Sequence, residues 1–197
     1  METVTIPIPN GVKGLIFDLD GTIIDSMQMH FESYNHALEL WGINYPREVF
    51  FSRAGIPTLK TLEMIAEDYG IKNPDYNGVI ERIRNYSRDN SDKITLIEPI
   101  FDIIKDTSHR LPMAIGTGSG RKHVDEILKQ FSLKQYIQHV VTATEVTNGK
   151  PDPETFLKCA ALINVDPEDC VVYEDGVLGI EAAEAAGMQV VDVTKYL

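Results

Sequence analysis

The run Val12-Lys13-Gly14-Leu15-Ile16-Phe17 ends abruptly in Asp18-Leu19-Asp20-Gly21-Thr22. A short apolar, branched stretch of this length predicts a buried strand. Two carboxylates follow it at once, and Gly21 lets the chain turn there. Three later runs repeat the arrangement. Pro112–Gly116 predicts a strand that opens into Gly116-Thr117-Gly118-Ser119-Gly120. A strand over His139–Thr142 is followed by a loop that reaches Gly149-Lys150-Pro151. Cys170–Tyr173 predicts a strand closed by Glu174-Asp175-Gly176.

Helical patterns fill the spaces between these strands. Ile100, Ile103 and Ile104 mark one helix. Val124, Ile127, Leu128 and Phe131 sit at i, i+3, i+4 and i+7 on another. Asp152-Pro153 reads as a cap with proline at the first helical position, opening a helix through Leu162. An Ala-rich helix over Ile180–Ala186 stops at Gly187, and Met188–Val193 predicts a last strand. Repeated βα units with short loops imply an α/β fold, a Rossmann-like parallel sheet covered on both faces.

That alternation is interrupted after its first strand. Met27, Phe31, Tyr34, Leu38 and Trp41 recur at spacings of four and three, one face of a helix that Gly42 ends. Further helices are predicted over Leu59–Tyr69 and Tyr76–Asn90. No convincing strand lies among them, so the insert reads as a helical bundle. The expected division is a core of residues 1–25 and 96–197 and a helical cap of residues 26–95. The Met27–Trp41 stripe is read as bundle core.

Composition excludes several classes. The chain has 197 residues, 43% hydrophobic and 24% charged, a mixture that suits a soluble globular protein. Its net charge of −12, with no basic stripe, disfavours nucleic acid and anionic membrane as partners. The two cysteines, Cys159 and Cys170, make no disulfide scaffold and no zinc knuckle. No apolar run approaches the length that spans a bilayer. Met1–Asn10 lacks the basic start and long apolar stretch of a signal peptide, so a cytoplasmic protein is expected, monomeric or at most a weak dimer.

In parallel sheets ligands bind beyond the carboxyl ends of the strands. The four loops therefore deliver four carboxylates (Asp18, Asp20, Glu174, Asp175), two hydroxyls (Thr117, Ser119) and the Lys150 ammonium to one edge. Clustered carboxylates repel one another unless a cation sits among them, and an all-oxygen set without thiolate suits Mg²⁺ better than Zn²⁺. Glycine-flanked hydroxyls at a helix start, beside a lysine, suit a tetrahedral anion. A metal, an anion site and a spare carboxylate together point to phosphoryl transfer onto a carboxylate nucleophile. Ser119 is also expected to cap the helix that follows it.

The four ordered stretches resemble the motifs of the haloacid dehalogenase-like phosphatase superfamily: Asp18-Leu19-Asp20-Gly21-Thr22, Ile115-Gly116-Thr117-Gly118-Ser119, Gly149-Lys150-Pro151-Asp152-Pro153, and Tyr173-Glu174-Asp175-Gly176 with Gly179-Ile180-Glu181-Ala182-Ala183. The helical insert resembles the β-phosphoglucomutase-like branch, and the Gly116–Ser119 loop with the short chain is similar to fructose-1-phosphate phosphatases of that branch. The resemblance implies that Asp18 is the nucleophile and Asp20 the general acid and base. It implies that Thr117, Gly118, Ser119 and Lys150 hold the phosphoryl group. It implies an Mg²⁺ site made by Asp18, the Asp20 backbone carbonyl, Glu174 and Asp175. The expected substrate is a small phosphomonoester, such as a hexose phosphate.

The cap positions implied by the resemblance are His30, Thr58 and Arg82, with Arg53 as a further basic candidate. Mutases of the branch carry an arginine where this chain has Thr58, within Gly55-Ile56-Pro57-Thr58. Thr58 supplies no charge for a second phosphate, so simple hydrolysis is expected over mutation of a sugar phosphate, unless Arg53 compensates. The rival readings are a β-phosphoglucomutase-like isomerase, a dehalogenase, which would not need Asp20, and a non-enzymatic module that binds a phosphorylated ligand.

Overall fold

The computed structural model describes residues 5–197, so the first four residues of the N-terminal reading and of the expected core lie outside it. The described chain forms two compact units. One comprises the residues up to Ile24 together with Leu96–Leu197, and the other is Asp25–Thr95.

The first unit is built on five parallel strands, β1 (Gly14–Phe17), β4 (Met113–Gly116), β5 (His139–Val141), β6 (Cys170–Glu174) and β7 (Gln189–Asp192), in the order β5-β4-β1-β6-β7. β2 (Ile24–Asp25) and β3 (Thr95–Leu96) pair as a separate two-stranded ribbon where the chain leaves and returns. The helices of this unit are α5 (Glu98–Thr107), α6 (Arg121–Gln130), α7 (Glu154–Ile163) and α8 (Val177–Ala185). The architecture is α/β with a Rossmann-like parallel sheet, as the alternation predicts.

Burial follows the pleat. β1, β4 and β6 are buried at every residue, because helices cover both faces. On one face Ile16, Ala114 and Val172 pack with Phe156, Cys159 and Ala160 of α7 and Ala182 and Ala183 of α8. On the other, Phe17 and Tyr173 stack with ring centroids 4.9 Å apart. The residues ahead of the first strand join this core: Ile6 is buried, and the Tyr173 hydroxyl donates to the Pro7 carbonyl at 3.1 Å.

Register decides what the strand tips present. Phe17 pairs with Ile115 of β4 and with Tyr173 of β6. The next residues, Asp18, Gly116 and Glu174, therefore emerge at one level, and the Asp18 amide still donates to the Tyr173 carbonyl at 3.0 Å. β1 is the middle strand, with its neighbours reached by crossovers in opposite directions, the place where such sheets bind ligands.

The second unit holds α1 (Met27–Leu38), α2 (Arg47–Ser52), α3 (Thr58–Asp68) and α4 (Tyr76–Asp89). Tyr34 and Leu38 lie in its core with Phe50, Leu62, Ile65, Val79 and Ile83, and Met27, Phe31 and Trp41 pack against that core half-buried. Gly42 ends the first helical stretch in the left-handed region, at φ +67°. The short α2 was not anticipated from sequence, because six residues are too few for a helical period to stand out. No helix among the described residues is long and apolar enough to cross a membrane.

Candidate active site

Asp18, Lys150, Glu174 and Asp175 converge at the tips of β1 and β6 and the loop before α7. Lys150 is 7% exposed and its Nζ donates to Asp18 Oδ1 at 2.6 Å and to Glu174 Oε2 at 2.7 Å. Its ammonium also lies 4.8 Å from the centre of the Phe156 ring. Glu174 Oε1 accepts from the Gly176 amide at 2.9 Å, and Asp175 Oδ1 accepts from the Thr22 hydroxyl at 2.9 Å. One donor atom from each of Asp18, Glu174 and Asp175 lies within 4.8 Å of the others.

The charges do not balance. Three carboxylates share one ammonium. Two unit charges 4.8 Å apart repel by about 3.5 kcal/mol at an effective dielectric near 20, and closer ones by more. Burial pushes the Asp18 carboxyl well above its usual value, and the Glu174 carboxylate adds to that push while Lys150 opposes it. Burial and then Glu174 raise Asp175 to about 7. Burial works to deprotonate Lys150, but Asp18 and Glu174 outweigh it and hold the amine charged. The unbalanced negative charge and the all-oxygen donor set fit a hard divalent cation.

The glycines here are spaces. Gly21, at φ +92°, leaves room for the Asp175 carboxylate, which a Cβ at that position would overlap. Gly179 does the same for Glu174. Gly179→Ala should raise the intrinsic helix propensity of α8 by about 1 kcal/mol. We nevertheless expect it to lower turnover by roughly tenfold, because the new methyl displaces the carboxylate that holds Lys150. A steady-state assay beside a melting curve checks this, and unchanged turnover would remove Glu174 from the site.

The second loop behaves differently from its sequence reading. Thr117 is buried, and its Oγ1 accepts from the Ser119 amide at 3.0 Å, which leaves the hydroxyl proton available to an anion. Ser119 does not cap α6. The N-cap of that helix is Gly120, with no side-chain cap bond, and Ser119 Oγ instead donates to Asp20 Oδ2 at 2.5 Å. The reason is tertiary: the Asp20 carboxylate, 99 positions away, competes with the local amides and is the stronger, charged acceptor. The other oxygen, Asp20 Oδ1, lies 3.6 Å from Nε2 of His123, a residue the sequence reading passed over.

The Lys150 loop is fixed from below. Glu154 of α7 accepts from the Thr147 and Asn148 amides at 3.0 and 2.8 Å, and is itself bound by Lys158 at 2.6 Å. Asp152 Oδ1 accepts from the Glu154 amide at 2.9 Å, but the N-cap is Pro153 and not Asp152, so the proline precedes the first helical position expected for it.

The cap positions lie in the other unit. His30 is half-buried in the first turn of α1. Thr58 begins α3. Arg82 of α4 reaches the end of α1, where Nη2 donates to the His36 carbonyl at 3.0 Å and to Glu39 at 3.3 Å, while its buried Nε makes no hydrogen bond. Arg53 donates to Asp68 at 2.6 Å and to the Tyr45 hydroxyl at 3.3 Å.

A family model described as haloacid dehalogenase-like hydrolase matches residues 15–193, from β1 to the end of the sheet. The chain belongs to that family. Among its relatives, fructose-1-phosphate phosphatase YqaB of Escherichia coli K12 is 36% identical over 186 residues, covering 91% of this chain and 95% of the relative. A β-phosphoglucomutase of Bacillus subtilis is 31% identical over 190 residues, covering 92% and 83%. The crystal structure of a β-phosphoglucomutase from Clostridium difficile superposes with a TM-score of 0.81 at 27% identity, covering 91% of this haloacid dehalogenase-like chain and 83% of that one.

Proposed function

We propose that this haloacid dehalogenase-like hydrolase is a Mg²⁺-dependent phosphatase of small sugar phosphates that works through an aspartyl-phosphate on Asp18. The observation that carries the reading is the Asp18 carboxylate, buried, held at 2.6 Å by Lys150 and crowded by Glu174 and Asp175. The Asp18, Glu174 and Asp175 side chains and the Asp20 backbone carbonyl would hold Mg²⁺, whose charge would offset the repulsion between an anionic nucleophile and an anionic ester.

In the first step an Asp18 oxygen attacks phosphorus. The new P–O bond forms as the bond to the sugar oxygen breaks, and the protonated Asp20 carboxyl gives its proton to that departing oxygen. Thr117 and the loop amides hold the phosphoryl oxygens, and Lys150 neutralises charge between them and Asp18. In the second step the Asp20 carboxylate takes a proton from water, and the water oxygen attacks phosphorus. The bond to Asp18 breaks, and inorganic phosphate leaves. Residues 26–95 serve as a cap that contributes sugar specificity, with His30 and Thr58 as contact positions.

Hydrolysis is favoured over mutase chemistry by the cap arginines. Thr58 carries no charge, Arg53 is already neutralised by Asp68, and Arg82 is bound to α1. A phosphate-release screen over hexose, pentose and triose phosphates tests the proposal. We expect turnover of fructose 1-phosphate or a close relative, and complete loss on chelation of Mg²⁺. Turnover without metal would overturn the site. Conversion of β-glucose 1-phosphate to glucose 6-phosphate with a bisphosphate primer would make the chain a mutase.

A further inference from the structure

Asp20 has a neighbour at each oxygen, a hydrogen bond on one and an ion-pair distance on the other. Ser119 Oγ donates to Oδ2 at 2.5 Å, and His123 Nε2 stands 3.6 Å from Oδ1. Ser119 lies just ahead of the Gly120 N-cap of α6, and His123 lies in the first turn of that helix. Both His123 and Asp20 are largely shielded, with side chains 25% and 13% exposed.

Geometry gives this second contact a purpose. The terminal torsion of an aspartate is broad and roughly two-fold, so a carboxylate held by one hydrogen bond still pivots. An ion-pair neighbour at the opposite oxygen favours one setting of that pivot. A group that must hand a proton to a leaving oxygen, and later take one from water on the same side, loses rate when its lone pairs wander. No motif of the family contributes His123; it lies beyond the Thr117–Ser119 loop, in the first turn of α6.

We propose that His123 is a positioning residue for Asp20, fixing the plane of its carboxylate toward the leaving-group oxygen. The inference rests on the reading of Asp20 as general acid. It therefore concerns only the proton given to the leaving group. It predicts an effect that scales with how much the leaving group needs that proton.

The test compares phenyl phosphate with 4-nitrophenyl phosphate, esters of nearly one shape, of which nitrophenolate departs readily without a proton. The readout is kcat/KM, which covers the steps through departure of the alcohol and is blind to hydrolysis of the aspartyl-phosphate. His123→Leu should lower kcat/KM for phenyl phosphate by about tenfold and for 4-nitrophenyl phosphate by less than about twofold. His123→Gln, which keeps an N–H at similar reach, should return phenyl phosphate to within about threefold of the parent. If His123→Leu does not fold, His123→Asn against His123→Gln carries the same comparison, the shorter amide losing and the longer one keeping the rate. Equal losses with both esters, or no loss, would overturn the inference.

Asp20→Asn separates the two readings. If it discriminates between the esters and the His123 variants do not, the inference about His123 alone fails. If Asp20→Asn treats both esters alike, the role of Asp20 falls and the inference with it.

Discussion

Asp18→Asn should reduce turnover by roughly 10⁴-fold or more while leaving the metal-free protein as stable as the parent or more so. The activity loss follows from replacing a nucleophilic carboxylate with an amide. The stability gain follows from the charge count at the strand tips. Asp18 is 5% exposed and shares one ammonium with Glu174 and Asp175. Its carboxyl is pushed well above the ordinary range, so the folded state disfavours its ionised form. The amide keeps an acceptor oxygen for Lys150 and removes one of three repelling charges. Relief of about 1 kcal/mol would raise the melting temperature by about 2–4 °C for a chain of this size. The stabilisation conferred by added Mg²⁺ should shrink in the variant, because one of its side-chain ligands has become a weaker, neutral one. Differential scanning fluorimetry with and without Mg²⁺, beside an assay on 4-nitrophenyl phosphate, measures both halves. Residual turnover within a hundredfold of the parent would take the nucleophile role away from Asp18.

Much of this arrangement was readable before any coordinates. The strands announced themselves because fully covered parallel strands are continuous apolar runs, and each ended in polar residues that have no place in a core. Gly14–Phe17 and Cys170–Glu174 fall within two residues of the runs that predicted them. The loops that follow carried the chemistry because the register, Phe17 against Ile115 and Tyr173, brings them level. What stayed hidden was set by contacts between distant residues. Local spacing makes Ser119 a helix cap, and only the arrival of Asp20 from 99 positions away redirects its hydroxyl. His123 reads as one more polar residue on an amphipathic helix until Asp20 is placed beside it. Glu174 looked like a metal ligand alone, whereas one of its oxygens holds Lys150 and the other a backbone amide. The segment ahead of β1 had no visible purpose, because the burial of Ile6 and the Tyr173–Pro7 bond depend on a strand more than 160 residues later.

Lys150→Met is the opposite experiment at the same site, with the opposite expectation for stability. Methionine matches the length and apolar stem of lysine and removes the charge. Lys150 contacts two buried carboxylates at 2.6 and 2.7 Å, and a third, Asp175, stands in the same cluster. Removing one partner of a buried ion pair leaves uncompensated charge and costs about 3–5 kcal/mol. The metal-free variant should therefore melt well below the parent, where Asp18→Asn melts at or above it. Turnover should fall by about 10³-fold, the scale of losing one pre-organised electrostatic contact to a transferring group. Added Mg²⁺ should recover part of the stability, since a dication in the cluster replaces some of the lost positive charge, but little of the rate. The decisive measurement is the double variant Asp18→Asn with Lys150→Met. Groups 2.6 Å apart do not contribute independently. With one carboxylate neutralised, the loss of the ammonium strands less charge, so Asp18→Asn should add more stability in the Lys150→Met background than it adds to the parent. An equal gain in both backgrounds would mean that Lys150 supports the fold by packing against Phe156, and that the carboxylate cluster does not depend on its charge.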